Sequence, residues 1–147
     1  MSEYTPVPNV LSLLVCDQII TDRITGKQSL IGIFSTIHAW RFPIIHPQLC
    51  VYVALTDGRG KTPLTIRIVD ADESRPPVVQ GNGAVEFKNP RAIANLALQF
   101  QGLRFTDPGE HRIQILCKDT MLRDSRLTVV KVDRPPRPGG PPPPSEG

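Results

Sequence analysis

"HRIQILCKD", residues 111–119, decides how the chain folds. Ile113, Ile115 and Cys117 fall on one side of an extended backbone, and Arg112, Gln114 and Lys118 on the other, with Leu116 as the exception. Successive side chains of a strand point to opposite faces, whereas a helix needs apolar residues three and four apart. The stretch therefore predicts a half-buried strand. Working outward, "LTIRIV" (64–69) sets Leu64, Ile66 and Ile68 against Thr65 and Arg67, and "NLALQFQ" (95–101) sets Leu96, Leu98 and Phe100 against Ala97, Gln99 and Gln101. "LCVYVAL" (49–55) sends Leu49, Val51, Val53 and Leu55 one way, and "SRLTVVKV" (125–132) does so with Leu127, Val129 and, less cleanly, Val132.

Corners punctuate these runs. In "CDQIITDRITGKQSLIGIFSTI" (16–37) two β-rich runs meet at "DRITGK" (22–27), where Gly26 can take the positive φ of a hairpin corner at little steric cost. Asp22, Arg23 and Lys27 then stand at an exposed tip. "TDGRGK" (56–61) reads as a second corner of the same kind, with Asp57-Gly58 favouring a type I′ turn, and "VDADESRPP" (69–77) as a longer connection. About eight strands follow: 10–20, 29–38, 49–56, 63–70, 78–87, 95–102, 110–118 and 125–132. "NPRAIANLAL" (89–98) is the one place for a helical turn, ending by Ile93. Gly81 and Gly83 in "GNG" mark a bulge or a close backbone approach. Many short strands without an amphipathic helix predict an antiparallel β-sandwich.

"RFTDPGEHRIQI" (104–115) sharpens that expectation. Asp107-x-Gly109-x-His111-x-Ile113 resembles the D-x-G/A-x-Y-x-C turn into strand F of immunoglobulin-like sandwiches, with His111 in the tyrosine's place and Ile113 in the bridging cysteine's. The resemblance implies a sandwich held by packing without the family disulfide, and a His111 ring nitrogen bonded to backbone. "CDQIITDRITGKQSLIGIF", "FPIIHPQLCVYVALTDGRG" and "FTDPGEHRIQI", in that order, also make residues 10–132 similar to a bacterial family of small uncharacterised proteins, a domain of unknown function. That likeness implies an immunoglobulin-like fold and a bacterial origin and carries over no functional residue.

At 147 residues the chain is long enough for one core and too short for two ordinary domains. Residues 1–9 read as an N-terminal arm, 10–132 as the sandwich, and 133–147, "DRPPRPGGPPPPSEG", as a disordered polyproline-like tail. The 17 basic and 14 acidic residues interleave, a weak field that argues against nucleic acid as partner. Arg41, Lys88, Arg91 and Arg104 near Trp40, Phe42 and Phe105 are the single hint of the opposite. No apolar run approaches the ~20 residues of a spanning helix. "MSEYTPVPNVLSLLVC" lacks a basic region and a small-residue cleavage site, which predicts an unprocessed, cytoplasmic protein. Cys16, Cys50 and Cys117 are odd in number and widely spaced, as free buried thiols would be.

Chemistry finds little to stand on. There is no G-x-S-x-G, and alternation puts Ser35 and His38 on opposite faces, against a triad. His38, His46 and His111 are too scattered among the cysteines for zinc, and "DADESRPP" lacks the glycine punctuation of a calcium loop. "GNG" and "DGRGK" open no helix that could cradle phosphate. No cofactor, metal or catalytic residue is expected. Trp40, Phe42, Ile44 and Ile45, around two prolines in "RFPIIHP" (41–47), either close one end of the core or form an apolar partner surface. In the tail, Arg134 and Arg137 within "RPPRPGGPPPP" have the character of a ligand for aromatic grooves. The expected function is a non-enzymatic binding or assembly module for a protein partner, with self-association through an edge strand as one form. The enzyme alternative, a hydrolase-like or carbohydrate-processing sandwich, requires Asp57, Asp70, Asp72 or Asp107 to converge with a histidine in one pocket.

Overall fold

The computed structural model describes residues 7–72 and 75–134. Among these residues there are nine strands and no helix: β1 (Asn9–Thr21), β2 (Gln28–Ile33), β3 (Thr36–Ala39), β4 (Ile44–Thr56), β5 (Gly60–Asp70), β6 (Val79–Phe87), β7 (Ala94–Phe105), β8 (Gly109–Cys117) and β9 (Thr120–Lys131). They form two sheets, in the orders β2-β1-β4-β7 and β3-β9-β8-β5-β6. The alternating residues named above line the seam between them: Leu49, Val51, Val53 and Leu55 meet Leu64, Ile66, Ile68, Ile113, Ile115, Leu127 and Val129 in one buried cluster. Each fully buried aliphatic side chain contributes roughly 1.5–3 kcal/mol of apolar transfer.

The topology is that of an immunoglobulin-like sandwich. Strands β9, β8 and β5 run side by side as strands G, F and C do, while β4 and β7 pair as B and E do. Chain crossings between sheets fall at β2 to β3, β3 to β4, β4 to β5, β6 to β7 and β7 to β8, so "RFTDPGEHRIQI" is the E–F corner.

Several local expectations need correction. The expected strand 29–38 divides in two, because Gly32 takes φ +71° and the chain then leaves the first sheet; Thr36–Ala39 joins the second, parallel to β9. One pair in the sandwich is thus parallel. "TDGRGK" is not a hairpin, since β4 and β5 lie in different sheets. Asp57 and Gly60 take the left-handed φ there, and Gly58 does not; it instead lies close against the Phe87 ring, where a Cβ would come 2.3 Å from Cε2. The connection 89–92 is a turn, closed by Ala92 N donating to Asn89 O at 3.0 Å.

Glycines 81 and 83 do mark a close approach. A Cβ on Gly81 would come 2.8 Å from the Phe100 ring and one on Gly83 2.9 Å from Leu96, so edge strand β6 packs directly on edge strand β7 and closes that flank. Gln114 lies on the outer face as its position in the alternation requires, yet it is 1% exposed. Arg67, its partner across β5 and β8, covers it and donates Nε to Gln114 Oε1 at 2.7 Å.

Candidate functional site

The opposite flank is built differently. β1 pairs with β4 from Asn9 to Cys16, and beyond Cys16 it pairs with β2 alone. The departure is fastened by side chains: Gln48 Nε2 donates to Asp17 O at 3.0 Å, Cys50 Sγ to the same oxygen at 3.7 Å, and Gln99 Nε2 to Gln48 Oε1 at 2.9 Å. Residues 17–33 form a hairpin arm that folds back over the outer face of the first sheet. Ile19, Thr21 and Gln28 of the arm enclose a cleft of about 150 Å³ with Cys50, Ala97, Leu98 and Gln99 of β4 and β7. Nearer the tip, Thr25, Lys27 and Leu30 bound a groove of about 550 Å³ with Leu14, Tyr52 and Asn95.

The tip itself is rigidly made. Asp22 Oδ1 accepts from Ile24 N and Thr25 N, both at 2.8 Å, and Gly26 N donates to Asp22 O at 2.9 Å with Gly26 at φ +74°. Those backbone donors hold the Asp22 carboxyl below its ordinary range. The polar stretch is a corner, as its composition predicts, and it fixes which face of the arm looks outward.

With Ile19, Thr21, Gln28 and Leu30 turned toward the sheet, alternation turns Ile20 and Ile31 away from it, and Ile33, beyond Gly32, is exposed as well. They are 44%, 45% and 58% exposed, and Ile24 at the tip is 94% exposed. β2 is the outer strand of its sheet and contains neither a charge nor a proline. Sheet edges are ordinarily blunted by such residues. The sequence reading missed this surface because periodicity cannot tell which apolar face of a short hairpin is covered.

The expected contact stretch splits. Phe42 and Ile44 turn inward and pack on the core, so they belong to the sandwich end, while Trp40 (39%) and Ile45 (59%) stay exposed. The Arg41 guanidinium lies 4.8 Å over the Trp40 ring. Ile44 and Ile45 are in β4 rather than a loop, opposite Phe105 and Arg104. Gly102 at φ +64° resets the alternation of β7 there, which brings Leu103 and Phe105 into the core. Lys88 and Arg91 flank the β6 to β7 connection, away from Trp40. Arg134 is exposed just beyond β9; Arg137 and the rest of the proline-rich stretch lie outside the described residues.

The carboxylates that the enzyme alternative requires to converge do so only in part. Arg75 bonds Asp107 and lies 3.4 Å from both Asp70 Oδ2 and Thr106 Oγ1, tying the β5 to β6 connection to the E–F corner. Its guanidinium holds the Asp107 carboxyl below the ordinary carboxylate range. Asp57 sits at the other end of β5, roughly 30 Å along the strand, where it accepts from Asn9 Nδ2 at 2.7 Å. His111 is buried beneath the corner, its Nδ1 3.1 Å from Gly109 O and its ring edge-on to Phe105 at 5.1 Å. Because a carbonyl only accepts, Nδ1 carries the proton. Among the described residues, no cluster of three metal-ligating side chains forms.

All three thiols are free and buried. Cys16 and Cys50 are direct partners on the outer face of the first sheet, hidden by the folded-back arm. Burial pushes both above the ordinary thiol value, and each also feels the Asp17 carboxylate. Burial likewise raises Cys117, against the pull of the nearby Lys118 charge. His46 faces Phe34 with ring centres 5.8 Å apart, and its buried Nε2 has no hydrogen-bond partner among the described residues.

Comparison with known proteins adds a family and no activity. No curated protein matches the chain. Among solved structures it is similar to an immunoglobulin-like protein (PA1606) from Pseudomonas aeruginosa, at 12% identity and TM-score 0.43, covering 87% of this chain and 100% of that one. A β-glucosidase from Listeria innocua is similar at 12% identity and TM-score 0.43, over 83% of this chain and only 16% of the glucosidase. The model of a family of unknown function, DUF6941, matches residues 11–130. With nearly all of the sandwich inside that match, the chain belongs to the DUF6941 family.

Proposed function

We propose that the protein is a non-catalytic binding or assembly module whose contact surface is the folded-back β1–β2 arm. One observation carries the reading: Ile20, Ile31 and Ile33 are exposed on a hairpin whose outer strand lacks the charges and prolines that blunt sheet edges. An extended segment of a protein partner, or β2 of a second copy, adds to that edge by backbone hydrogen bonds, and its apolar side chains cover the isoleucines. Hiding the exposed fractions of Ile20, Ile24, Ile31 and Ile33 supplies roughly 5 kcal/mol of apolar transfer before the costs of association. Trp40 and Ile45 offer a second, smaller apolar contact. Three free thiols fit a reducing compartment such as the cytoplasm. The carbohydrate-processing alternative draws less support, since Asp70 and Asp107 are engaged by Arg75 and Asp57 is at the far end of the strand.

The test is the double variant Ile31→Lys and Ile33→Lys. Both sites are exposed, so the unfolding free energy should change by no more than surface substitutions do, about 0.5 kcal/mol. Wild type should self-associate with rising concentration or retain a specific protein in cross-linking capture, and the variant should do neither. Undiminished association by the variant would overturn the proposal.

A further inference from the structure

A second feature, sharing no residue with the arm, lies where the chain enters the sandwich. Val7, the β4 to β5 crossing and the β8–β9 turn meet around a pocket of about 160 Å³ lined by Arg59, Lys61, Thr62, Pro63, Cys117 and Lys118. Three of its lining residues are cationic. None of them forms an ion pair among the described residues, although Arg75, Arg112 and Arg126 elsewhere all do. The carboxylates closest in sequence or across strands are Asp57, two residues before Arg59 and bonded by Asn9 Nδ2; Glu86, the partner of Lys61; and Asp119, beside Lys118. Among the described residues none forms a salt bridge with these cations.

Lys61 and Lys118 are placed by the fold, and Arg59 lies just before β5. Lys61 is fixed in β5 by pairing with β6, Thr62 is buried with its hydroxyl donating to Gly60 O at 3.4 Å, and the pocket wall is the buried Cys117. Lys118 stands in a two-residue turn at φ 55°, a left-handed conformation rare for a residue other than glycine. Like charges held together repel, and a bound anion is the partner that relieves them.

We infer that this pocket binds a phosphate monoester, with Arg59, Lys61 and Lys118 neutralising the dianion. A dianion satisfies clustered cations better than a carboxylate does. Arginine supplies a planar fork for two oxygens while lysines act as point charges on the rest. The volume holds a phosphoryl group with a small substituent. The same headgroup occurs on soluble metabolites and on phosphatidic acid.

The test uses the full 147-residue chain. Inorganic phosphate is titrated at constant ionic strength while backbone amide resonances are followed. Saturable shifts should concentrate at Gly60, Lys61, Thr62, Cys117 and Lys118. Lys61→Ala and Lys118→Ala should each weaken binding about tenfold, whereas Lys27→Ala on the arm should leave it unchanged. A retained dispersed spectrum shows that the variants fold. Glycerol phosphate and vesicles containing phosphatidic acid form separate arms: competition by the first alone marks a soluble ligand, and competition by the vesicles marks a lipid headgroup. Shifts spread over lysines in general, or equal affinity in the Lys61 and Lys118 variants, would overturn the inference.

Discussion

Substituting Gly58 by alanine tests the sheet-to-sheet crossing that the sequence presents as a hairpin turn. Gly58 does not need a positive φ, so alanine meets no backbone strain there. Its Cβ would stand 2.3, 2.4 and 2.7 Å from three atoms of the Phe87 ring, which is itself 3% exposed and packed in the core. The ring must move, and overpacking of this kind costs about 1–3 kcal/mol. Reduced freedom of the unfolded chain offsets about 0.4–1 kcal/mol. The net loss is on the order of 1–2 kcal/mol, read in urea unfolding as a lower midpoint at constant m-value. Phe87→Leu removes the ring atoms in question, so in that background Gly58→Ala should become neutral or slightly stabilising. The sign of the effect thus depends on residue 87. An equal cost of Gly58→Ala in both backgrounds would refute the reasoning and point back to a turn conformation at Gly58.

Further outcomes follow from buried polar groups, and one from two paired surface carboxylates. Gln114→Ala should destabilise by about 1–3 kcal/mol in equilibrium unfolding, because it strips the acceptor from Arg67 on a covered face. Burial lowers the His46 pKa below its ordinary 6.5, so the unfolded chain takes up a proton there before the folded one does. Stability should therefore fall as pH drops through and below 6.5, and His46→Phe should flatten that slope. The paired Asp22 and Asp107, whose folded values are lowered, add a separate loss only at more acid pH, below about 4. Cys16, Cys50 and Cys117 should resist an aromatic disulfide reagent in the native protein and react together on unfolding, as followed by thiol release.

What the sequence made legible was the alternation, because a strand with one face in a dry seam must obey period two. Leu49 to Leu55, Leu64 to Ile68 and Ile113 to Cys117 all pack as their spacing requires. The Asp22 to Lys27 corner and the close approach at Gly81 and Gly83 were readable for the same local reasons. Sheet membership was not. A glycine-containing corner looks alike whether it joins neighbours in one sheet or crosses between two, and that is why Asp57-Gly58 read as a hairpin. The β8–β9 turn carries no glycine at all; Lys118 takes the left-handed φ, so Thr120 to Asp124 did not read as strand. The contact surface and the basic pocket were hidden for a related reason. Ile20, Ile31 and Ile33 are ordinary strand residues until the arm folds back, and Arg59, Lys61 and Lys118 come together only when two connections meet at one end.

The most direct measurement is a methyl cross-relaxation map of the arm in protein labelled at isoleucine, leucine, valine and alanine methyls. An arm folded over the sheet predicts contacts from Ile19 to Ala97 or Leu98, and from Leu30 to Leu14, with Ile31 and Ile33 showing none to the sheet. Contacts running instead from Ile20 or Ile31 to β7, with Ile19 free, would mean that the isoleucine face is covered and that the proposed contact surface does not exist.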